Sequence, residues 1–196
     1  MDKKKSKIIE ESRQLRNKFF RMSYESAASD PRQWLSYARS LQFAADLLKP
    51  IFEKEHKTPR PRSQKNNFPI SVSQIYLMIV GFAVENYLKG IYVISFPEII
   101  NNDKLIKLNR HDLLQLMREL KFNVSKDEVD LIERLEEFVL WAGRYPIPAK
   151  FDRLIPKKHR EGTKFDFIVY SLPADVDIAS KLLKRLEERI INEMKL

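Results

Sequence analysis

Apolar residues recur along this chain in steps of four and three, with polar residues between them, and the period is carried by six separate stretches. Ile8, Ser12, Leu15, Phe19 and Met22 stack on one helical face, with Ser12 as its polar interruption. A second helix opens at Ser29-Asp30-Pro31, a capping residue followed by proline at the first helical position, where its missing N–H costs nothing. Trp34, Ala38, Leu41, Ala45, Leu48 and Phe52 then keep the spacing. Pro50 is expected to kink or end this helix near its last turns, because it removes a backbone bond and crowds the preceding turn.

Residues 57–69, KTPRPRSQKNNFP, are polar and proline-punctuated and read as a connector. A third helix, the most apolar and therefore the central one, follows to about Phe96. A shorter one begins near His111 with Asn109 as its cap and carries Leu113, Leu114, Met117 and Leu120. Ser125 and Glu128 have capping-box spacing ahead of Val129, Ile132, Leu135 and Val139, which marks a fifth helix ending near Gly143. The last runs from about Asp175 with Ala179, Leu182, Leu186, Ile190 and Met194 on one stripe. Almost no alternating pattern accompanies them, so the expected class is all-α, a single helical domain over 1–196 with no internal repeat.

Composition adds limits. The chain has 43% hydrophobic residues, enough for a core, and a net charge of +9, which favours polyanionic partners through long-range attraction. With no cysteine there is no disulfide, thiolate nucleophile or cysteine zinc site, and the expected compartment is a reducing one, the cytoplasm. MDKKKSKIIEESR is basic but has no apolar run behind it, so it is not read as a secretory signal. IYLMIVGFAV, residues 75–84, is about half a bilayer span and is followed by Glu85 and Asn86; it reads as a buried helix, and no membrane partner is expected.

The outlier is the irregular segment 144–174 before the last helix, since connections of that length inside compact domains tend to be functional or disordered. Between Arg144 and Lys164 the cations Arg144, Lys150, Arg153, Lys157, Lys158, Arg160 and Lys164 oppose only Asp152 and Glu161. Tyr145, Phe151, Phe165, Phe167 and Tyr170 interleave with these cations, and stacking combined with phosphate neutralisation is how single-stranded RNA is commonly held. The competing reading has the aromatics anchoring the loop while the cations stay solvated. The candidate RNA- or nucleotide-binding residues are Arg144, Tyr145, Lys150, Lys157, Lys158 and Arg160.

His56, His111 and His159 are too far apart for a helical zinc site, and there is neither a glycine-rich phosphate loop nor a nucleophile elbow, so no metal or cofactor is expected. His111 stands at a helix start beside Asp112, where local hydrogen bonding is its expected work. Glu85, Asn86 and Lys89 interrupt the most apolar helix. They lie either at its wet edge, where Glu85 and Lys89 make a surface i, i+4 pair, or on a polar cleft that they support together with His111; the edge is the favoured placement.

GFAVENYLKGIYV, then NRHDLLQLM, then a helix closing in WAGRYP, resembles the HEPN superfamily of small helical bundles of bacterial toxin–antitoxin and defence systems. The similar blocks span about residues 75–148. The resemblance implies an antiparallel bundle, here with an added N-terminal helix, a homodimer, and in many members a nucleotidyltransferase-like antitoxin partner. Some members are metal-independent ribonucleases that use an arginine followed, after four to six intervening residues, by a histidine at the start of a late helix. Arg153 and His159 alone fit that spacing. In such a pair arginine stabilises charge on the scissile phosphate while histidine moves protons. The context departs from the pattern, because Pro156 interrupts the stretch and Leu154 replaces the usual polar residue. Arg144-Tyr145-Pro146 instead is similar to members that bind or pair without cleaving. The expectation is a noncatalytic RNA- or nucleotide-binding or partner-pairing module, with the endoribonuclease as its alternative.

Overall fold

A computed structural model describes residues 3–57, 71–97, 100–101, 104–105, 111–145, 147–153 and 169–195. Six α-helices make up its regular structure: α1 (Lys3–Ser29), α2 (Pro31–Lys57), α3 (Val72–Ser95), α4 (Leu113–Glu119), α5 (Lys126–Glu137) and α6 (Asp175–Met194). The strands among the described residues, β1 (Ile100–Asn101) and β2 (Lys104–Leu105), form a two-residue antiparallel pair with Ile100 opposite Leu105. The chain is therefore all-helical in substance, as the four-three spacing predicts.

α3 occupies the centre because it is apolar on nearly every side, and α2, α4, α5 and α6 all pack against it. By length and composition it is also able to cross a membrane, but 67% of its most apolar 18-residue window is buried inside the protein, where Leu77, Val80, Val84, Leu88 and Ile91 meet the other helices. Two glycines set how closely those helices approach. A Cβ at Gly81 would lie 2.5 Å from Val139 Cγ2, and one at Gly90 would lie 2.5 Å from Ile190 Cδ1.

The helix ends follow local chemistry. Asp30 caps α2 by accepting the Arg32 N–H at 3.0 Å, with Pro31 in the first turn. α2 runs on through Pro50 to Lys57 and does not stop there. The proline ring withholds one N–H, yet the turn beyond it is held from outside: Phe52 is fully buried and packs on Tyr76, with ring centroids 4.7 Å apart. Glu55 on the same turn accepts the Val72 and Ser73 N–H groups at 2.8 and 3.1 Å and so caps α3. α4 is capped by Asp112, which accepts Gln115 N–H at 3.0 Å; the cap expected at Asn109 falls outside the described residues. The Ser125/Glu128 capping box is present on α5. α5 passes into a π-helical turn, Phe138–Ala142, closed by Gly143 N–H donating to the Phe138 carbonyl at 3.1 Å.

Two features had no counterpart in the sequence reading. Arg134, 1% exposed, donates to both carboxylate oxygens of Asp175 at 2.6 and 2.7 Å and to Asp130 at 3.3 Å, and lies 4.5 Å from the centre of the Tyr170 ring. Burial pulls its pKa down, and the hydrogen bonds and charge of Asp175 more than reverse this, so the guanidinium is held in its charged form. The cluster fastens residues 170–175 to α5. The second feature is α1. Its only buried described side chain is Ala28, beside the Trp34 indole that donates to the Ala28 carbonyl at 2.9 Å; the stripe of Leu15, Phe19 and Met22 faces solvent.

Candidate nucleic-acid interface

The segment that follows the π-turn folds back over the last turns of the helix it leaves. Arg144 donates to the Leu140 carbonyl at 2.7 Å, satisfying a helix-terminal acceptor, and its guanidinium lies 5.5 Å from the centre of the Tyr145 ring. Nine residues on, at the end of a 3-10 turn spanning Phe151–Arg153, Arg153 donates to both oxygens of Glu137 at 3.2 and 3.1 Å. The Trp141 indole N–H donates to the same carboxylate at 2.7 Å. Two ties to one helix end thus frame the turn between them.

What that turn presents is cationic and aromatic. Tyr145 is 56% exposed, Ile147 66% and Phe151 76%, with Arg144 and Lys150 exposed among them. The alternatives left open for the aromatic residues therefore divide. Tyr170 is an anchor, its hydroxyl donating to Asp130 at 3.1 Å beneath Arg134, whereas Phe151 is exposed and Tyr145, with Arg144 over one side of its ring, is still more than half exposed. Phe165 and Phe167 lie outside the described residues, as do Lys157, Lys158, His159 and Arg160. Among the candidate cations that are described, Arg144 and Lys150 have no acidic partner among the described ion pairs, whereas Arg153 is paired to Glu137.

Glu85, Lys89 and His111 form a chain of their own, drawn from the two blocks GFAVENYLKG and NRHDLLQLM. Lys89 Nζ donates to Glu85 Oε1, and His111 Nδ1 lies 2.8 Å from Glu85 Oε2. The favoured placement at the wet edge of α3 is overturned here. The Lys89 and Glu85 side chains are 11% and 6% exposed, on a helix against which α4 packs. His111, about a third exposed, is the member most open to solvent. Since a carboxylate only accepts, Nδ1 carries the proton in this contact. Asn86 is not part of the chain: its amide donates to the Phe82 carbonyl at 2.8 Å on its own helix. His56 is likewise occupied, with Nδ1 donating to the Phe52 carbonyl at 2.9 Å and Nε2 3.0 Å from Ser171 Oγ. It borders a shallow cavity of about 380 Å³ lined also by Glu53, Lys57 and Asp177.

Among the described residues no three histidine or acidic side chains converge as a metal ion would require. Sequence reasoning missed Glu137 and the exposed Ile147. The spacing of Glu137 and Trp141 at i, i+4 was the available signal for the first. Comparison with protein-family models, curated proteins and solved structures finds no match to this chain.

Proposed function

We propose that this chain is a HEPN-like, noncatalytic binding module that holds single-stranded RNA on the surface formed by Arg144, Tyr145, Lys150 and Phe151. The same reading has it working as a cytoplasmic homodimer paired with a nucleotidyltransferase-like antitoxin, in a bacterial toxin–antitoxin or defence system. The observation that carries the RNA surface is the exposure of two aromatic rings, Tyr145 and Phe151, each next to a cation with no acidic partner among the described ion pairs, on a turn tied down at both ends. Bases stack on such faces at about 1–3 kcal/mol each, while the cations neutralise phosphates. The ribonuclease alternative draws less support, because Arg153, its phosphate-stabilising residue, is already engaged by Glu137.

Fluorescence anisotropy with a labelled single-stranded RNA, run across a salt series, tests the reading. Replacing Arg144 and Lys150 together by alanine should flatten the slope of log affinity against log salt by about 1.4, roughly 0.7 for each lost phosphate contact. Tyr145→Ala with Phe151→Ala should weaken binding and leave the slope in place. An unchanged slope in the Arg144/Lys150 variant overturns the surface. Chelator-resistant RNA cleavage that disappears in His159→Ala overturns the noncatalytic reading and establishes the nuclease.

A further inference from the structure

α1 is 27 residues long, about 40 Å of helix at 1.5 Å per residue, and among its described side chains only Ala28, near the C-terminal end, is buried. Its four-three seam runs from Ile8 through Ser12, Leu15, Phe19 and Met22 to Ser26. Leu15, Phe19 and Met22 are each at least 60% exposed, although a helix that packs on its own domain would bury this stripe. A seam with that spacing is the pattern one helix offers to another, since each side chain enters a hole between four residues of a facing helix.

We propose that α1 pairs with α1 of a second copy of this chain, in antiparallel orientation. Charge decides both the partner and the direction. In heptad terms Glu11, Lys18 and Glu25 flank the seam on one side, and Arg16 flanks it on the other. Antiparallel pairing that sets Ser12 against Leu15 of the second copy also brings Glu11 to Lys18, and Glu25 to Lys4, each twice by symmetry. Parallel pairing offers only Glu11 to Arg16. It also lays Lys3, Lys4, Lys5 and Lys7 beside their own copies with no acidic residue among them, whereas antiparallel pairing sets that stretch beside Arg21 and Glu25, which sum to no net charge. This inference rests on the homodimer of the proposed function, to which it gives an interface, and not on the RNA surface.

The test uses the full chain. Sedimentation velocity or light scattering at micromolar concentration should give a dimer, and Leu15→Glu with Phe19→Glu should give a monomer. The helical circular dichroism of the body should persist, because the substituted Leu15 and Phe19 are exposed and neither belongs to the core. Glu11→Lys or Lys18→Glu alone should each weaken association by roughly tenfold, two attractive contacts having become repulsive. An equimolar mixture of the two variants should restore it, since the new lysine at 11 then faces the new glutamate at 18, and the original Lys18 faces the original Glu11. The chain has no cysteine, so introduced thiols report without background. Ser12→Cys mixed with Leu15→Cys should cross-link, and neither variant should link to itself. A native chain that is monomeric, a mixture that fails to recover, or self-linking of either cysteine variant overturns the proposal. RNA affinity that falls in Leu15→Glu with Phe19→Glu while the mass stays unchanged also overturns it and makes α1 a nucleic-acid arm. The Arg144/Lys150 variant should remain dimeric, which keeps failure of this proposal separate from failure of the RNA reading.

Discussion

Arg153 meets the Glu137 carboxylate through two contacts of 3.1 and 3.2 Å, so the arginine of the candidate catalytic pair is already answered by an acid within its own chain. The side chain is about one-third exposed, and a pair so placed contributes only about 0–1 kcal/mol to stability. Its larger effect is on binding, because Glu137 competes with phosphate for the guanidinium. Glu137→Gln keeps an acceptor for the Trp141 indole and removes the charge. RNA affinity should rise a few-fold, and the salt slope should steepen by about 0.7 as one more phosphate is engaged. A weaker or salt-indifferent complex in that variant would show that Arg153 is a structural tie and nothing more.

The Arg134 cluster carries the opposite weighting. Asp130 and Asp175 are 2% and 0% exposed, so Arg134→Met leaves two buried carboxylates without their main counter-charge. The cost should be about 3–5 kcal/mol, read as a lower urea midpoint at unchanged m-value. Arg134→Lys should recover little, because an ammonium cannot reproduce the two-pronged contact with Asp175. Full stability in the lysine variant would reduce the cluster to a simple charge pair.

Glu85 and Lys89 lend themselves to a double-mutant cycle. Glu85→Leu alone strands a buried ammonium, and the loss should be about 3 kcal/mol or more. Glu85→Leu with Lys89→Leu should be milder than the sum of the two single changes by about 1–3 kcal/mol, since neither charge remains to be desolvated. Additive losses would mean that the two side chains do not sense one another. Activity of the RNA surface should be untouched, because neither residue contributes to it.

These contacts show where the sequence was legible and where it stopped. Helix positions were readable because apolar spacing and caps are local: the Ser125/Glu128 box depends on residues three apart and formed as read. The Glu85 and Lys89 pair was readable as a pair, but not its burial, since an i, i+4 spacing says nothing of what covers that face. Its third member, His111, is 26 residues away. Arg134 and Asp175 are 41 apart and meet only through the packing of α5 against α6. The helix does not end at Pro50, one of the two outcomes expected there, because contacts of Phe52 and Glu55 with α3 sustain the turns beyond it. For the basic segment the sequence supplied the cations, and only the fold separated Arg153, which is paired, from Arg144 and Lys150.

Buried tyrosines give the protein an alkaline limit. Burial is the main cause that pushes the Tyr170 hydroxyl up to about 12, opposed by Arg134 and supported by the charge and hydrogen bond of Asp130. Tyr76 and Tyr87 are pushed up as well, again chiefly by burial, with acidic neighbours adding to it. In the unfolded chain these phenols ionise near 10. Between about pH 10 and 12 the native state therefore holds more protons than the unfolded one, and stability falls as pH rises; below about 10 the contribution is fully present. The urea midpoint should drop across that window, and phenolate absorbance at 295 nm should develop at higher pH in native protein than in protein held unfolded in urea. Tyr170→Phe should make the alkaline decline shallower, since one titrating group has gone, while lowering stability at neutral pH through loss of the hydroxyl's bond to Asp130. Native and unfolded titrations that superimpose would mean that these hydroxyls are open to solvent, and the packing of residues 169–172 against α5 would have to be redrawn.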